Sequence, residues 1–92
     1  MTEVRTEIDA LDRTIVALLA DRLHYIDEAA RLKQSRDQVR DDARIADVLA
    51  KVEAEAKRLG ADPKVVKKAY AALVEASIEH ELIAFDRLKA RR

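Results

Sequence analysis

The residues best placed to do chemistry are polar ones standing where an apolar side chain is expected. Arg22 falls one heptad after Ile15, inside a row of Ile8, Leu11, Ile15, Leu18, Tyr25, Ala29 and Leu32 that recurs in three- and four-residue steps. A guanidinium in such a seam is costly unless an anion meets it. Lys33 follows after close to three whole turns, so it shares a helical face with Arg22, about 16 Å away along the axis. Two long cationic side chains leaning toward each other suit one small dianion. Arg5 is about 25 Å from Arg22 on the same rod and turned roughly 100° from it, so it can join such a site only from a second copy of the helix. Ser77 and Glu81 stand one turn apart within another apolar row, and Arg44 lies at the edge of a third. An unpaired carboxylate at Glu81 would need a cation, a proton or a ligand.

Each residue also has a plainer structural reading. Arg22 could fix helix register or pair with Glu81, and Ser77 could bond back to its own helix. Lys33 and Arg44 could be solvated edge residues. What argues for a site is their joint appearance: several cations, a hydroxyl and a carboxyl facing inward on three helices. No metal site is expected, because His24 and His80 are isolated and cysteine is absent. There is no glycine-rich phosphate loop, and Ser77 has no base in a recognisable arrangement beyond nearby His80.

The elements that must position these groups are helices. Residues 5–33 contain neither Gly nor Pro, and a first helix is expected from near Thr2, whose hydroxyl could cap it, to about Ser35. Such a rod is about 50 Å long, whereas a compact chain of this size has a radius of gyration near 12 Å. The rod must overhang its own protomer, and an obligate homodimer is expected to cover it. Residues Gln34 to Asp42 lose the apolar period and read as a loop, with Asp41 or Asp42 capping the next helix. Ile45, Val48, Leu49, Val52, Ala56 and Leu59 form the buried face of that second helix. Gly60 sits where a left-handed C-terminal cap is wanted, and Asp62 before Pro63 starts a third helix running to about Lys89. Its apolar row is Val66, Tyr70, Leu73, Val74, Ile78, Phe85 and Leu88.

Composition agrees with an all-α fold of one domain spanning residues 1–92: there is one Gly, one Pro and only three aromatic residues. Eighteen basic residues balance eighteen acidic ones, which argues against nucleic-acid or membrane-surface binding driven by net charge. No apolar run approaches membrane-spanning length, and the opening MTEVRTEID lacks the features of a signal peptide. The expected location is the cytoplasm.

These residues, taken in order, resemble a known family. Arg5, Ile8, Leu11 and Asp12 give R-x-x-I-x-x-L-D, followed by I-V-x-L-L-A-x-R to Arg22 and then Lys33. A capped second helix carrying Arg44 and a third carrying Ser77 and Glu81 complete the pattern. It is similar to the all-helical bacterial chorismate mutases and their relatives, the isochorismate-pyruvate lyases. The resemblance implies a three-helix protomer with a long first helix, intertwined into a homodimer with two shared sites. It implies chorismate as substrate, rearranged to prephenate in aromatic amino acid biosynthesis without a cofactor. Arg22 and Arg5 of the partner subunit would hold the two carboxylates, and Lys33 would donate to the ether oxygen. Arg44 would add positive potential, Asp41 would meet the ring hydroxyl, and Ser77 would help hold a carboxylate.

Two positions depart from the mutase pattern. Glu81 stands where those enzymes carry Gln, a donor to the ether oxygen, so that only its protonated form could do the same. Ile45 stands where many mutases have Glu against the ring hydroxyl, as an aliphatic residue does in the lyases. The segment before Asp41 is also about one residue shorter than in the best-known bacterial mutase. The alternatives are therefore an isochorismate-pyruvate lyase and a non-enzymatic helical dimerisation module, the latter built on an internal Arg22–Glu81 ion pair.

Overall fold

Helix α1 occupies Thr2–Leu32 in the computed structural model of the chain, which describes residues 1–91. Arg92, the last residue of the expected domain, lies outside the described residues. The helix begins without the expected Thr2 cap: Met1 is the N-cap and supplies no side-chain hydrogen bond. Thr2 is already helical, and its carbonyl accepts from the Thr6 hydroxyl at 2.9 Å. The helix also ends earlier than Ser35. Lys33 is its C-cap and has extended backbone, with φ −86° and ψ 141°.

The reason for that early stop is local. Ser35 and Gln38 form a capping box around a single 3-10 turn, Arg36–Gln38. The Gln38 Oε1 accepts from the backbone N–H of Gln34 at 2.7 Å and of Ser35 at 3.3 Å. Those amides are bound by a side chain ahead of them, so the helix does not continue through them.

Helix α2, Asp42–Arg58, opens on Asp41, whose Oδ1 accepts from the Arg44 N–H at 3.0 Å. It closes on a Schellman motif: Gly60 N–H donates to the Lys57 carbonyl and Ala61 N–H to the Ala56 carbonyl, at 3.2 and 2.9 Å. Gly60 takes the left-handed conformation this requires, with φ 75°. Leu59, expected on the buried face, is instead 67% exposed, because it stands at the cap where the helical period stops meaning burial. Helix α3, Pro63–Ala90, follows at once. Asp62 caps it by accepting from the Lys64 N–H at 2.9 Å, and Pro63 stands in the first turn.

Helix α3 is the centre of the protomer and packs against both other helices. The buried cluster is Ala30 from α1, Val39 from the connection, and Val74, Ile78 and Phe85 from α3. Ile45, Val48, Tyr70, Leu82, Ala84 and Leu88 pack around it, half-buried. Among the described residues there is no strand, and no helix is long and apolar enough to cross a membrane.

The first helix departs most from its expected burial. Ile8, Leu11, Ile15, Leu18, Tyr25 and Leu32 are all at least half exposed in the protomer. The α1 residues that lose exposure toward α3 fall on a neighbouring row: Leu19, Arg22, Ile26, Ala29, Ala30 and Lys33. The radius of gyration is 16.0 Å and the longest dimension 53 Å, well beyond the ~12 Å radius of a compact chain of this length.

Two exposed ion pairs strap the α1–α2 connection onto α3. Arg36 Nε meets Asp86 at 3.2 Å, and Arg40 grips Glu75 in a fork of 3.1 and 2.6 Å. The hydrogen bonds from Arg40, helped by its charge, hold the Glu75 carboxyl below the usual carboxylate range. A carboxyl lowered on folding stabilises the protein above its unfolded value, and that contribution disappears as pH falls through the folded one. Glu75→Gln is therefore expected to lower Tm by a few degrees at most near neutral pH, in low salt. The difference should vanish in strong acid and shrink in 1 M salt; thermal melts across pH and salt would check both.

Candidate functional site

Six of the seven residues singled out in the sequence line one cavity. Arg22 and Lys33 come from α1 and its cap, Asp41 and Arg44 from the start of α2, and Ser77 and Glu81 from α3. The cavity measures about 390 Å³, within the range that holds a small-molecule ligand. Its walls are aliphatic, with Ile26 and Ala29 on one side, Val39, Ile45 and Val48 on another, and Val74 and Ile78 from α3. Ile45, the departure noted in the sequence, is thus part of the lining.

The polar groups are held differently from one another. Arg22 Nη1 donates to the Ser77 Oγ at 2.6 Å, and the Ser77 hydroxyl donates back to the Leu73 carbonyl at 2.8 Å. The expected back-bond of Ser77 therefore exists, and the oxygen serves Arg22 as well. Lys33 Nζ forms an ion pair with Glu81 Oε2. Glu81 is 5% exposed and Ser77 4%, so both are buried with their partners in place. An Arg22–Glu81 pair, the basis of the dimerisation-module reading, does not form: Glu81 faces the cation at the end of α1. Sequence spacing puts Arg22 and Glu81 on facing rows, but the helix crossing decides which residues meet. Among the described residues Arg22 has no carboxylate partner; its contacts are Ser77 and the Tyr70 ring.

At the α2 end, Arg44 Nη1 meets Asp47 at 3.0 Å on its own helix, and Asp47 also takes Lys51 at 2.9 Å. These two bases hold the Asp47 carboxyl below its ordinary value, chiefly through the hydrogen bond from Lys51. Asp41 spends one carboxylate oxygen on capping α2. Asp41 and Arg44 thus bring the first turn of α2 to the cavity.

Arg5 is the residue not brought in. It lies in the exposed first turns of α1, its N–H bonded to the Met1 carbonyl at 3.0 Å. Three contributors escaped the sequence reading. Val39 lies in the irregular connection, as the sequence predicts, but it is 5% exposed and closes the cavity wall. Gln38 also lines it, and the Ser35-to-Gln38 spacing of a capping box was its visible signal. Tyr70 was read only as one of an apolar row. No group of three His, Asp or Glu side chains able to hold a metal ion occurs among the described residues; His80 is engaged with Asp27 at 2.7 Å.

A family model described as chorismate mutase type II matches residues 4–82. None of the curated proteins compared with the chain matches it. The matched span includes all seven residues discussed above, Arg5 among them.

The Lys33–Glu81 pair makes a stability prediction independent of catalysis. Lys33→Met leaves a buried carboxylate without its cation and is expected to cost about 2–4 kcal/mol. Lys33→Met with Glu81→Leu removes both charges and should recover most of that loss. Urea unfolding of the wild type, the two single variants and the double variant, at one fixed protomer concentration, gives the cycle.

Proposed function

The chain belongs to the chorismate mutase type II family, whose reaction is the rearrangement of chorismate to prephenate; from that premise we propose which residues carry it out. The observation that carries the assignment is the shared cavity: three cations, a hydroxyl and two carboxyls on otherwise aliphatic walls. Arg22 binds one carboxylate of chorismate, since its charge has no carboxylate partner among the described residues and its guanidinium fork matches a carboxylate. Ser77 supports that end. Lys33 donates to the ether oxygen, where negative charge grows as the C–O bond breaks. Arg44 adds positive potential, and Asp41 keeps an oxygen for the ring hydroxyl after capping α2. The reaction is pericyclic, so the protein needs neither nucleophile nor base. It has to hold the side chain folded over the ring and keep charge preorganised at the breaking bond.

The second carboxylate requires another cation, and we assign it to Arg5 of the partner subunit. The support is the uncovered face of α1. Val4, Ile8, Leu11, Ile15, Leu18 and Tyr25 form an exposed apolar row at heptad spacing, beside Arg22. Two such helices packed antiparallel bury that row. With the two-fold axis near Thr14, midway between positions 5 and 22, Arg5 of the partner subunit comes level with Arg22. The single 92-residue domain thus works as a homodimer with two shared sites, and a cytoplasmic location fits a small biosynthetic enzyme.

Glu81 stands where the mutases that the sequence resembles carry Gln. When ionised it has no hydrogen to give the ether oxygen and it holds Lys33 by its charge. Gln at this position would accept from Lys33 through Oε1 and still offer an N–H.

Two experiments test the assignment. Purified protein should form prephenate from chorismate, and Arg22→Ala should lower kcat/KM by about 10²–10³-fold; salicylate and pyruvate formed from isochorismate instead would favour the lyase. Arg5→Ala and Arg22→Ala should each be nearly inactive. Unfolded together and refolded, they should recover about a quarter of wild-type activity, since half the dimers are mixed and each has one intact site. No recovery would place both arginines in one chain's site. For Glu81, Glu81→Gln keeps an acceptor for Lys33 and adds an N–H for the ether oxygen, so it is expected to raise kcat in the prephenate assay; an unchanged kcat would remove Glu81 from the chemistry.

A further inference from the structure

We propose that Tyr70 is a positioning residue for the reaction: its ring face holds the Arg22 guanidinium in place without neutralising it. The inference rests on the reading of Arg22 as a carboxylate-binding group. Arg22 Cζ lies 5.7 Å from the centroid of the Tyr70 ring, within cation–π range. Tyr70 is half-buried, packs against the core cluster, and is not among the residues lining the cavity. It acts through Arg22 and does not touch a guest itself.

The physical need is specific. A guanidinium has five N–H donors and one positive charge. A carboxylate from the protein would stabilise it, but would occupy the same fork the substrate requires. A neutral hydrogen-bond acceptor takes one N–H and leaves most of the charge unanswered. An aromatic face answers part of the charge through its quadrupole and consumes no donor.

Arg22 has both neutral devices and no carboxylate among the described residues: Ser77 Oγ at 2.6 Å and the Tyr70 ring. Tyr70 and Ser77 stand two turns apart on one face of α3, so both reach the same guanidinium. The Ser77 hydroxyl hydrogen is already given to Leu73 at 2.8 Å. A hydroxyl has only one hydrogen, so in this arrangement Ser77 too serves the carboxylate end through Arg22. The remaining guanidinium N–H groups stay available to the cavity, and the side chain loses little freedom when substrate arrives.

The test changes the ring's quadrupole without changing its size. Position 70 is replaced by Phe and then by mono-, di- and trifluorinated phenylalanine, and chorismate kinetics and Tm are measured for each dimer. Tyr70→Phe should retain wild-type KM. KM should climb along the fluorinated series by about three- to tenfold in total, the range of a partly exposed cation–π contact. Tm should stay level, and kcat should stay within about twofold, as loss of uniform binding predicts. A flat KM along the series would overturn the proposal, even if Tyr70→Leu were inactive or failed to fold. Arg22→Ala in the same assay separates the two readings. If it abolishes activity while the series is flat, only the role of Tyr70 fails. If it leaves KM unchanged, the assignment of Arg22 itself is wrong.

Discussion

The cavity is organised around a positive charge held at a helix seam. Arg22 stands where α1 crosses α3, among positions that carry Leu19, Ile26 and Ala30 a turn or two away. A charge there loses hydration, and such sites usually contain the opposite charge. This protein surrounds it with neutral partners, a serine oxygen and an aromatic ring. Lys33 is handled in the opposite way, paired with the buried Glu81 carboxylate. These two cations of the cavity are therefore held differently. Arg22 has no carboxylate partner among the described residues, while Lys33 is committed to an internal anion.

That arrangement constrains the rest of α1. One row of the helix faces α3 and supplies Arg22, Ile26 and Ala30, while the adjacent row carries Ile8, Leu11, Ile15 and Leu18 toward solvent. The buried apolar set of the protomer is small: Ala30, Val39, Ala56, Val74, Ile78 and Phe85. A core of that size gives little stability to a chain of this length. The exposed row is the larger reserve of apolar surface, and burying it against a second copy serves stability and the proposed site together.

The parts of this fold that local chemistry determines were legible in the sequence. Gly60 and the Asp62–Pro63 pair end one helix and begin the next through short-range hydrogen bonds, so the residue types alone specify them. Asp41 as a cap is of the same kind. The end of α1 was misread by a few residues because two local programmes compete there. The helical period runs on through Gln34, while the Ser35–Gln38 capping box binds the amides that would extend it. Leu59 fails for a related reason, since it keeps the period of α2 but stands at its cap. What the sequence did not carry was pairing across elements. Periodicity put Arg22, Ser77 and Glu81 on inward faces, yet the crossing of α1 and α3 decides that Glu81 meets Lys33 and that Arg22 meets Ser77 and Tyr70. Tyr70 looked like one more member of an apolar row because a ring's face is invisible to a hydrophobicity pattern.

The connection between α1 and α2 shows how a short irregular segment can be as fixed as a helix. Val39 is buried in the cavity wall, Arg40 is forked onto Glu75, Arg36 meets Asp86 through Nε, and the Gln38 side chain closes the turn on itself. Each exposed ion pair is weak alone, but both flank the same buried valine, so the segment cannot lift at one end without losing that burial. Its reward is orientation. Holding this segment fixes Asp41, Asp41 caps the first turn of α2, and that turn places Arg44 at the cavity. In a chain whose net charge is zero, placement therefore matters more than number: of the cavity's three cations Lys33 and Arg44 meet Glu81 and Asp47, and Arg22 has no carboxylate partner among the described residues.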